Sequence, residues 1–340
     1  AGDTAGAFFF DSKGTTEHGT LVQGLWYSSV PADASRWPEI ARVPTIGGEV
    51  YRPELRGRNS VSDGDIWYLI TETDVNQLAG RAHPLGLAVE TRYLQFNRPR
   101  GNEDILYAVN TLYNISATNP AAYSGVRPEL RPTLLALAER YHRDVLTKFA
   151  VTLPADGYTI QRYFTDIITD ADVGSAGGNV ASVDLPLSVG FTWDPRFAAT
   201  LPGWRYDPTD HGPPFFAGSG FYGTKVLQAP AGGNAIQLFT SYIGSGFGND
   251  AANVVALYRH LDGSPAPDLL SCNQGDPLVT HICLVWPSGL DVRQSVSSAG
   301  GDLAPGQSAT YAVAYLFAAP YGGCGPAACI SPGSTPGRTR

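Results

Sequence analysis

Residues 104–116, Asp104-Ile-Leu-Tyr-Ala-Val-Asn-Thr-Leu-Tyr-Asn-Ile-Ser116, divide with a period of two into two faces, and that division decides the fold class. Ile105, Tyr107, Val109, Thr111 and Tyr113 fall on one face, and Leu106, Ala108, Asn110 and Leu112 on the other. Side chains of a β-strand point to opposite faces in turn, so two apolar sets describe a strand covered on both sides. Working outward, similar runs bounded by Gly, Pro, Asn or Asp predict strands at Leu21–Val30, Asp65–Thr71 and Leu87–Phe96 before it. After it come Val183–Trp193, Ala235–Tyr242, Leu278–Trp286 and Ser308–Phe317. In the last of these Ala309, Tyr311, Val313, Tyr315 and Phe317 make a bulky face and Thr310, Ala312 and Ala314 a small one.

Two helices interrupt the strands. Between Pro128 and Ala150, Leu130, Leu134, Leu137, Tyr141 and Val145 recur at helical spacing, with Pro132 tolerable only in the first turn. Residues 251–261 follow an Asn249 or Asp250 N-cap and stop at Asp262-Gly263. No tandem repeat of fixed period occurs. The expected fold is therefore mainly β: one or two antiparallel β-sandwiches with two packed α-helices. Residues 1–80 read as an N-terminal β-rich segment, with a boundary near 77–84. Residues 81–320 read as a sandwich domain with a helical insertion near 117–160, and 321–340 as a clamped turn and linker tail.

Composition narrows the class. The 340 residues include 39 Gly and 26 Pro but only 16 % charged residues, with 43 % apolar, which fits short strands joined by turns. A net charge of −8 disfavours nucleic acid and anionic membranes, since both are bound by cationic surfaces. No apolar run is long enough to span a bilayer as a helix. The sequence has no Met, and with it no initiator, which points to a processed, exported product that is secreted or held at the cell surface. Cys272, Cys283, Cys324 and Cys329 are even in number and confined to the last quarter, a disulfide pattern for an oxidising compartment. Cys272 with Cys283 would close a short loop and Cys324 with Cys329 would clamp a Gly-Pro turn, among three formal connectivities.

The densest set of oxygen ligands lies in Asp166-Ile-Ile-Thr-Asp170-Ala-Asp172-Val-Gly174, then Asn179 and Asp184. Calcium takes six to eight oxygens from flexible loops, which makes Asp170, Asp172, Asn179 and Asp184 candidate calcium ligands. The bland alternative is an acidic turn capping its own amides. Gly218-Ser-Gly-Phe-Tyr-Gly223 formally matches G-x-G-x-x-G, but a strand-like run and Pro230 come after it where a dinucleotide site needs a helix. Neither G-x-S-x-G nor H-E-x-x-H occurs, and the six histidines are scattered. Glu90, Glu103, Asp104, Asp166 and Asp210 are available carboxylates, though no acid or base is assigned and no catalytic residue is named. Trp67 and Trp193 sit in strand patterns and read as core; Trp37 and Trp204, in Pro-rich loops, read as exposed. Asn114-Ile-Ser116 is a formal N-glycosylation sequon at a strand end.

The order of several of these segments resembles a group of uncharacterised secreted bacterial surface proteins, many of which carry sorting domains for type IX secretion. The resemblance runs through Ser62-Asp63-Gly-Asp65-Ile-Trp67-Tyr, His83-Pro-Leu-Gly86, Glu103-Asp104-Ile-Leu-Tyr, Asp170-Ala-Asp172-Val-Gly174 and Gly275-Asp276-Pro277. It ends in Ser297-Ser-Ala-Gly-Gly-Asp-Leu303-Ala-Pro305-Gly306 and the strand after it, and covers roughly residues 60–320. It implies an exported β-sandwich surface protein without established enzymatic activity, and carries the acidic motif onto Asp170, Asp172 and Asp184. The chain shows no type IX sorting domain at its end. The expected function is a structural or adhesive extracellular protein, a subunit of an envelope layer or filament that partners copies of itself or other surface components. The alternatives are a glycan-binding module and a polysaccharide-active enzyme.

Overall fold

A computed structural model describes residues 20–27, 62–75, 84–99, 102–171, 173, 179–193, 221–233, 236, 238–243, 281–283 and 292–318. Twelve strands are described: β1 Thr20–Tyr27, β2 Gly64–Thr71, β3 Leu87–Gln95, β4 Ile105–Asn114, β5 Ile160–Thr169 and β6 Val180–Asp184, followed by β7 Val189–Trp193, β8 Phe221–Gln228, β9 Leu238–Ile243, β10 His281–Cys283, β11 Val292–Leu303 and β12 Ser308–Ala318. One α-helix, α1, spans Arg131–Phe149 and is preceded by a 3-10 turn at Pro120–Gly125. The chain is mainly β, as the alternation predicts. The helix expected at 251–261 lies outside the described residues.

Eight strands form a large sheet in the order β1-β2-β3-β4-β12-β8-β7-β6, and four form a small one, β10-β9-β11-β5. Every pairing in the large sheet is antiparallel. In the small sheet β11 runs antiparallel to β5 and β9, while β10 runs parallel to β9. Strands on both sides of the boundary near 77–84 belong to one sheet, because β2 pairs with β3 from Gly64↔Gln95 to Thr71↔Ala88. The described part of the N-terminal segment is thus continuous with the rest of the large sheet.

The alternation in β4 has two partners, one for each face. Tyr113 joins Trp67, Leu69 and Ala88 in a core closed by Leu130, Leu134, Leu137 and Ala138 of the helical segment. On the opposite face Ala108 joins Val226, Tyr311 and Val313 of the large sheet, packed against Val296 of β11 and Ile167 of β5. The large sheet is therefore the middle layer, between α1 on one side and the small sheet on the other. Burial of this apolar surface is the main stabilising term.

Helix α1 starts one turn later than Pro128, with Pro132 in its first turn, where a missing N–H costs nothing. Leu134, Leu137, Tyr141 and Val145 are its buried stripe, as their spacing predicts. It ends at Ala150, whose φ of 55° is left-handed, with the Ala150 N–H on the Leu146 carbonyl. Among the described residues no helix is long and apolar enough to cross a membrane.

Two sequence expectations change, and one strand goes unannounced. Val183–Trp193 is two strands, β6 and β7, because Ser188, at φ 53°, completes a turn that joins them as a hairpin. The stretch beginning at Asp166 is not one acidic loop: Asp166–Thr169 is the end of β5, and Asn179 leads directly into β6. β11 has no apolar alternation to announce it, since Gln294, Ser295, Ser297 and Ser298 are all buried.

Candidate functional site

Of the candidate calcium ligands, Asp170, Asn179 and Asp184 are described. Asp170 pairs with Arg293 at 3.0 Å and is 46 % exposed. Asp184 Oδ1 accepts the Leu187 N–H at 3.0 Å, capping the β6–β7 turn. Asn179 is buried at the other end of β6, five residues away. At about 3.3 Å per residue that separation is about 16 Å, whereas a calcium ion draws its oxygens to within about 2.6 Å of itself. Asp172 lies outside the described residues, and among those described no group of three His, Cys, Asp or Glu could hold a metal. Cys272, Cys324 and Cys329 also lie outside them, as do Trp37, Trp204, Asp210 and Gly218–Gly220. Cys283 ends β10. Gly223 sits in mid-strand β8, so a strand stands where a dinucleotide site needs a helix.

Two of the available carboxylates are structural. Glu90 Oε1 accepts the Trp67 indole N–H at 2.8 Å and the Arg127 guanidinium at 2.6 Å, and Oε2 accepts the Tyr113 hydroxyl at 3.0 Å. Three donors fix one carboxylate against the sheet, which ties the start of the helical layer to β2, β3 and β4. Burial and then the Glu90 charge push the Tyr113 hydroxyl well above the usual phenol range. Asp166 Oδ1 accepts the Ser295 hydroxyl at 2.7 Å, while its Oδ2 is buried and makes no hydrogen bond. Burial raises this carboxyl to about 7, against the pull of Ser295 and the Ile167 N–H. Since Ile167 points into the sandwich, Asp166 points out of it, and Glu90 faces the helix layer. The two carboxylates stand on opposite sides of the sandwich and do not share a cleft. Asp104 is exposed.

The sequon asparagine is a third structural residue. Asn114 is wholly buried and its Nδ2 donates to the Tyr158 and Leu303 carbonyls, each at 2.8 Å. Its Oδ1 accepts the Ser116 N–H at 2.9 Å. Both amide hydrogens are used, so the folded protein offers no acceptor for a glycan there. His142 Nε2 is 2.6 Å from the Ser116 carbonyl in the same network, a packing role for the one histidine whose side chain is described.

A different set of residues does converge, between the two sheets. Tyr68 on β2, Tyr93 on β3, Tyr315 on β12 and Tyr222 on β8 all project from the face of the large sheet that looks toward the small one. Tyr68 and Tyr93 rings lie 6.3 Å apart, as do those of Tyr222 and Tyr315. The small residue Ala108 sits opposite Tyr93 in register, and Val313 beside it, leaving room for the rings to lean together. Burial raises Tyr93 and Tyr315, and the groups that add to the shift are neighbouring phenols: Tyr68 and Tyr222 for both, with Tyr315 acting on Tyr93 and Tyr311 on Tyr315. Phe317 closes the row, 5.6 Å from Tyr222 and 52 % exposed.

The facing side of the small sheet carries Val296 and Ile167, in the same packed cluster as Tyr93 and Tyr315, and next to them the polar pair Thr169 and Gln294. Thr169 of β5 approaches the Tyr222 hydroxyl and stands in register with Gln294 of β11. Gln294 is wholly buried, and neither its Oε1 nor its Nε2 makes a hydrogen bond; the Oγ1 of Thr192 also makes none. Such unmet polar atoms in a protein interior call for a partner, because each costs about 1–3 kcal/mol when left unpaired. The bulky aromatic face of β12 was visible in the alternation of Tyr311, Tyr315 and Phe317. Gln294 and Thr192 had no sequence signal, since nothing local distinguishes them from strand polar residues facing water.

Trp67 is buried in the helix-side core, as its strand pattern predicts. Trp193 is not core. It is half-buried on the outer face of the large sheet beyond α1, 5.3 Å from Phe191 and 6.2 Å from Phe221.

No protein-family model matches the chain, and no curated protein matches it. The resemblance to secreted bacterial surface proteins is therefore carried by the residues quoted for it alone.

Proposed function

We propose that this protein is a secreted or cell-surface component of structural or adhesive kind, a subunit of an envelope layer or filament that packs against copies of itself or other surface components. The observation that carries this reading is the laminated build of the large sheet, held between α1 and the small sheet and stapled by buried hydrogen bonds. Asn114 ties the end of β4 to Tyr158 and Leu303, and Tyr311 reaches across the sandwich to the Val296 carbonyl at 3.0 Å. Thr91 and Asn110 bond to each other at 2.9 Å on the same face. Neutral buried bonds are insensitive to ionic strength, which suits a body exposed to unbuffered surroundings. The composition, low in charge and rich in Gly and aromatics, supports packing against like surfaces. Light scattering over a concentration series tests it: assembly above a threshold concentration is expected, and a chain that stays monomeric throughout contradicts self-packing.

A second reading, a glycan-binding module, is favoured by the half-buried rings of Phe191, Trp193 and Phe221, which lie 5.3 and 6.2 Å apart on the outer face of the large sheet.

A further inference from the structure

We propose that Thr169 and Gln294 are the two ends of a covalent cross-link, a side-chain ester between β5 and β11 that the chain forms by itself once folded. This goes beyond both readings of function and depends on neither. Three observations carry it. The two residues are register partners on neighbouring antiparallel strands. Such partners have Cβ atoms about 4.5–5.5 Å apart, so the Gln294 amide carbon, two bonds beyond its Cβ, is within reach of the Thr169 Oγ1. Gln294 is wholly buried and neither atom of its amide makes a hydrogen bond, so no partner holds that amide in place. The Thr169 hydroxyl lies against the hydroxyl of Tyr222, which is also 3.2 Å from Thr224 Oγ1.

The reaction exchanges an amide for an ester. Thr169 Oγ1 attacks Gln294 Cδ, a C–O bond forms as the Cδ–Nε2 bond breaks, and the hydroxyl proton, handed on by Tyr222, leaves with the nitrogen as ammonia. Nothing is oxidised or reduced, and no co-reactant enters. A tyrosine hydroxyl both accepts and donates a proton, which is what the relay requires. Packing holds hydroxyl and amide side by side, so the step is intramolecular, and the packed interior keeps water from the ester. One event per molecule suffices, so slow chemistry is enough. The product removes an unmet amide from the core. It also fastens β5, the last strand of the small sheet, to its neighbour, and closes the chain that carries β6 to β10 into a covalent loop.

The test is the intact mass of the full chain, folded and then reduced, followed by peptide mapping. A mass about 17 Da below that of the sequence is expected, the weight of one lost ammonia. Mapping should return the peptides of Thr169 and Gln294 as a linked pair that alkaline hydroxylamine separates, since it cleaves esters. Thr169→Val and Gln294→Leu are each expected to restore the full mass, and Thr192→Val, which removes the unmet hydroxyl on β7, to keep the loss. Wild-type protein of full sequence mass overturns the proposal, and that measurement needs no variant to fold. A mass loss that Thr169→Val leaves in place, or a linked pair without Thr169, overturns it as well.

Discussion

The side-chain amide of Asn114 donates to the Leu303 carbonyl at 2.8 Å, joining the end of β4 to the end of β11 across 189 residues of chain. The same nitrogen holds Tyr158 and the same side chain's oxygen holds Ser116, so one residue closes the corner where the large sheet, the small sheet and the segment after α1 meet. Removing it strands two carbonyls and an N–H in a dry interior. Asn114→Ala is expected to lower stability by about 3 kcal/mol in urea unfolding, and Asn114→Asp is expected not to rescue it, because an oxygen then faces two carbonyls.

A second expectation concerns the same residue. Protein folded and secreted from a glycosylating host should carry no glycan at Asn114, read by intact mass and peptide mapping. Folded protein with a glycan on Asn114 would contradict the geometry of that corner.

These roles show what a sequence does and does not display. The faces of β4 were legible because each is lined with apolar residues, and α1 was legible because its five buried positions recur at helical spacing. The end of β5 was misread because Asp166 and Asp170 resemble a loop locally, although a strand can bury or pair them. β11 was illegible for a related reason: Gln294, Ser295, Ser297 and Ser298 are polar yet buried, and only their partners on other strands explain it. The inter-sheet tyrosines are separated by up to 247 residues, from Tyr68 to Tyr315, and their meeting is a property of strand order alone.

The Glu90 clamp predicts a graded response. Glu90→Ala leaves the Trp67, Tyr113 and Arg127 donors without their acceptor and should cost about 3 kcal/mol. Glu90→Gln keeps the shape but turns an amide toward donors, and should cost about 2 kcal/mol. Equal stability of all three proteins in denaturant titrations would show that the clamp is not holding the helical layer.

Asp166 sets a pH dependence. In the unfolded chain its carboxyl ionises near 3.8, and in the folded one near 7, so between those values the unfolded state binds fewer protons. Stability therefore falls as pH rises from about 4 to about 7 and is flat above, by a few kcal/mol at most from this group. Asp166→Asn should remove that part of the slope and raise stability at pH 8. A slope that Asp166→Asn leaves unchanged would assign the titration elsewhere.

Gly306 tests the close approach between the β11–β12 turn and the 3-10 turn. Its φ is +72°, and a Cβ there would lie 2.2 Å from the Ala122 carbonyl oxygen. Gly306→Ala therefore meets both backbone strain and a clash with main chain. A loss above about 2 kcal/mol, or failure to fold, is expected in thermal unfolding, and a variant as stable as the parent would contradict the packing of that turn.

The proposal that this is an exported surface protein is tested most directly by where it sits on the cells that make it. Surface labelling of intact cells with a membrane-impermeant lysine reagent, followed by recovery of the protein, gives the answer. The account predicts labelled protein on intact cells or in the medium; protein that is labelled only after the cells are broken open would contradict it.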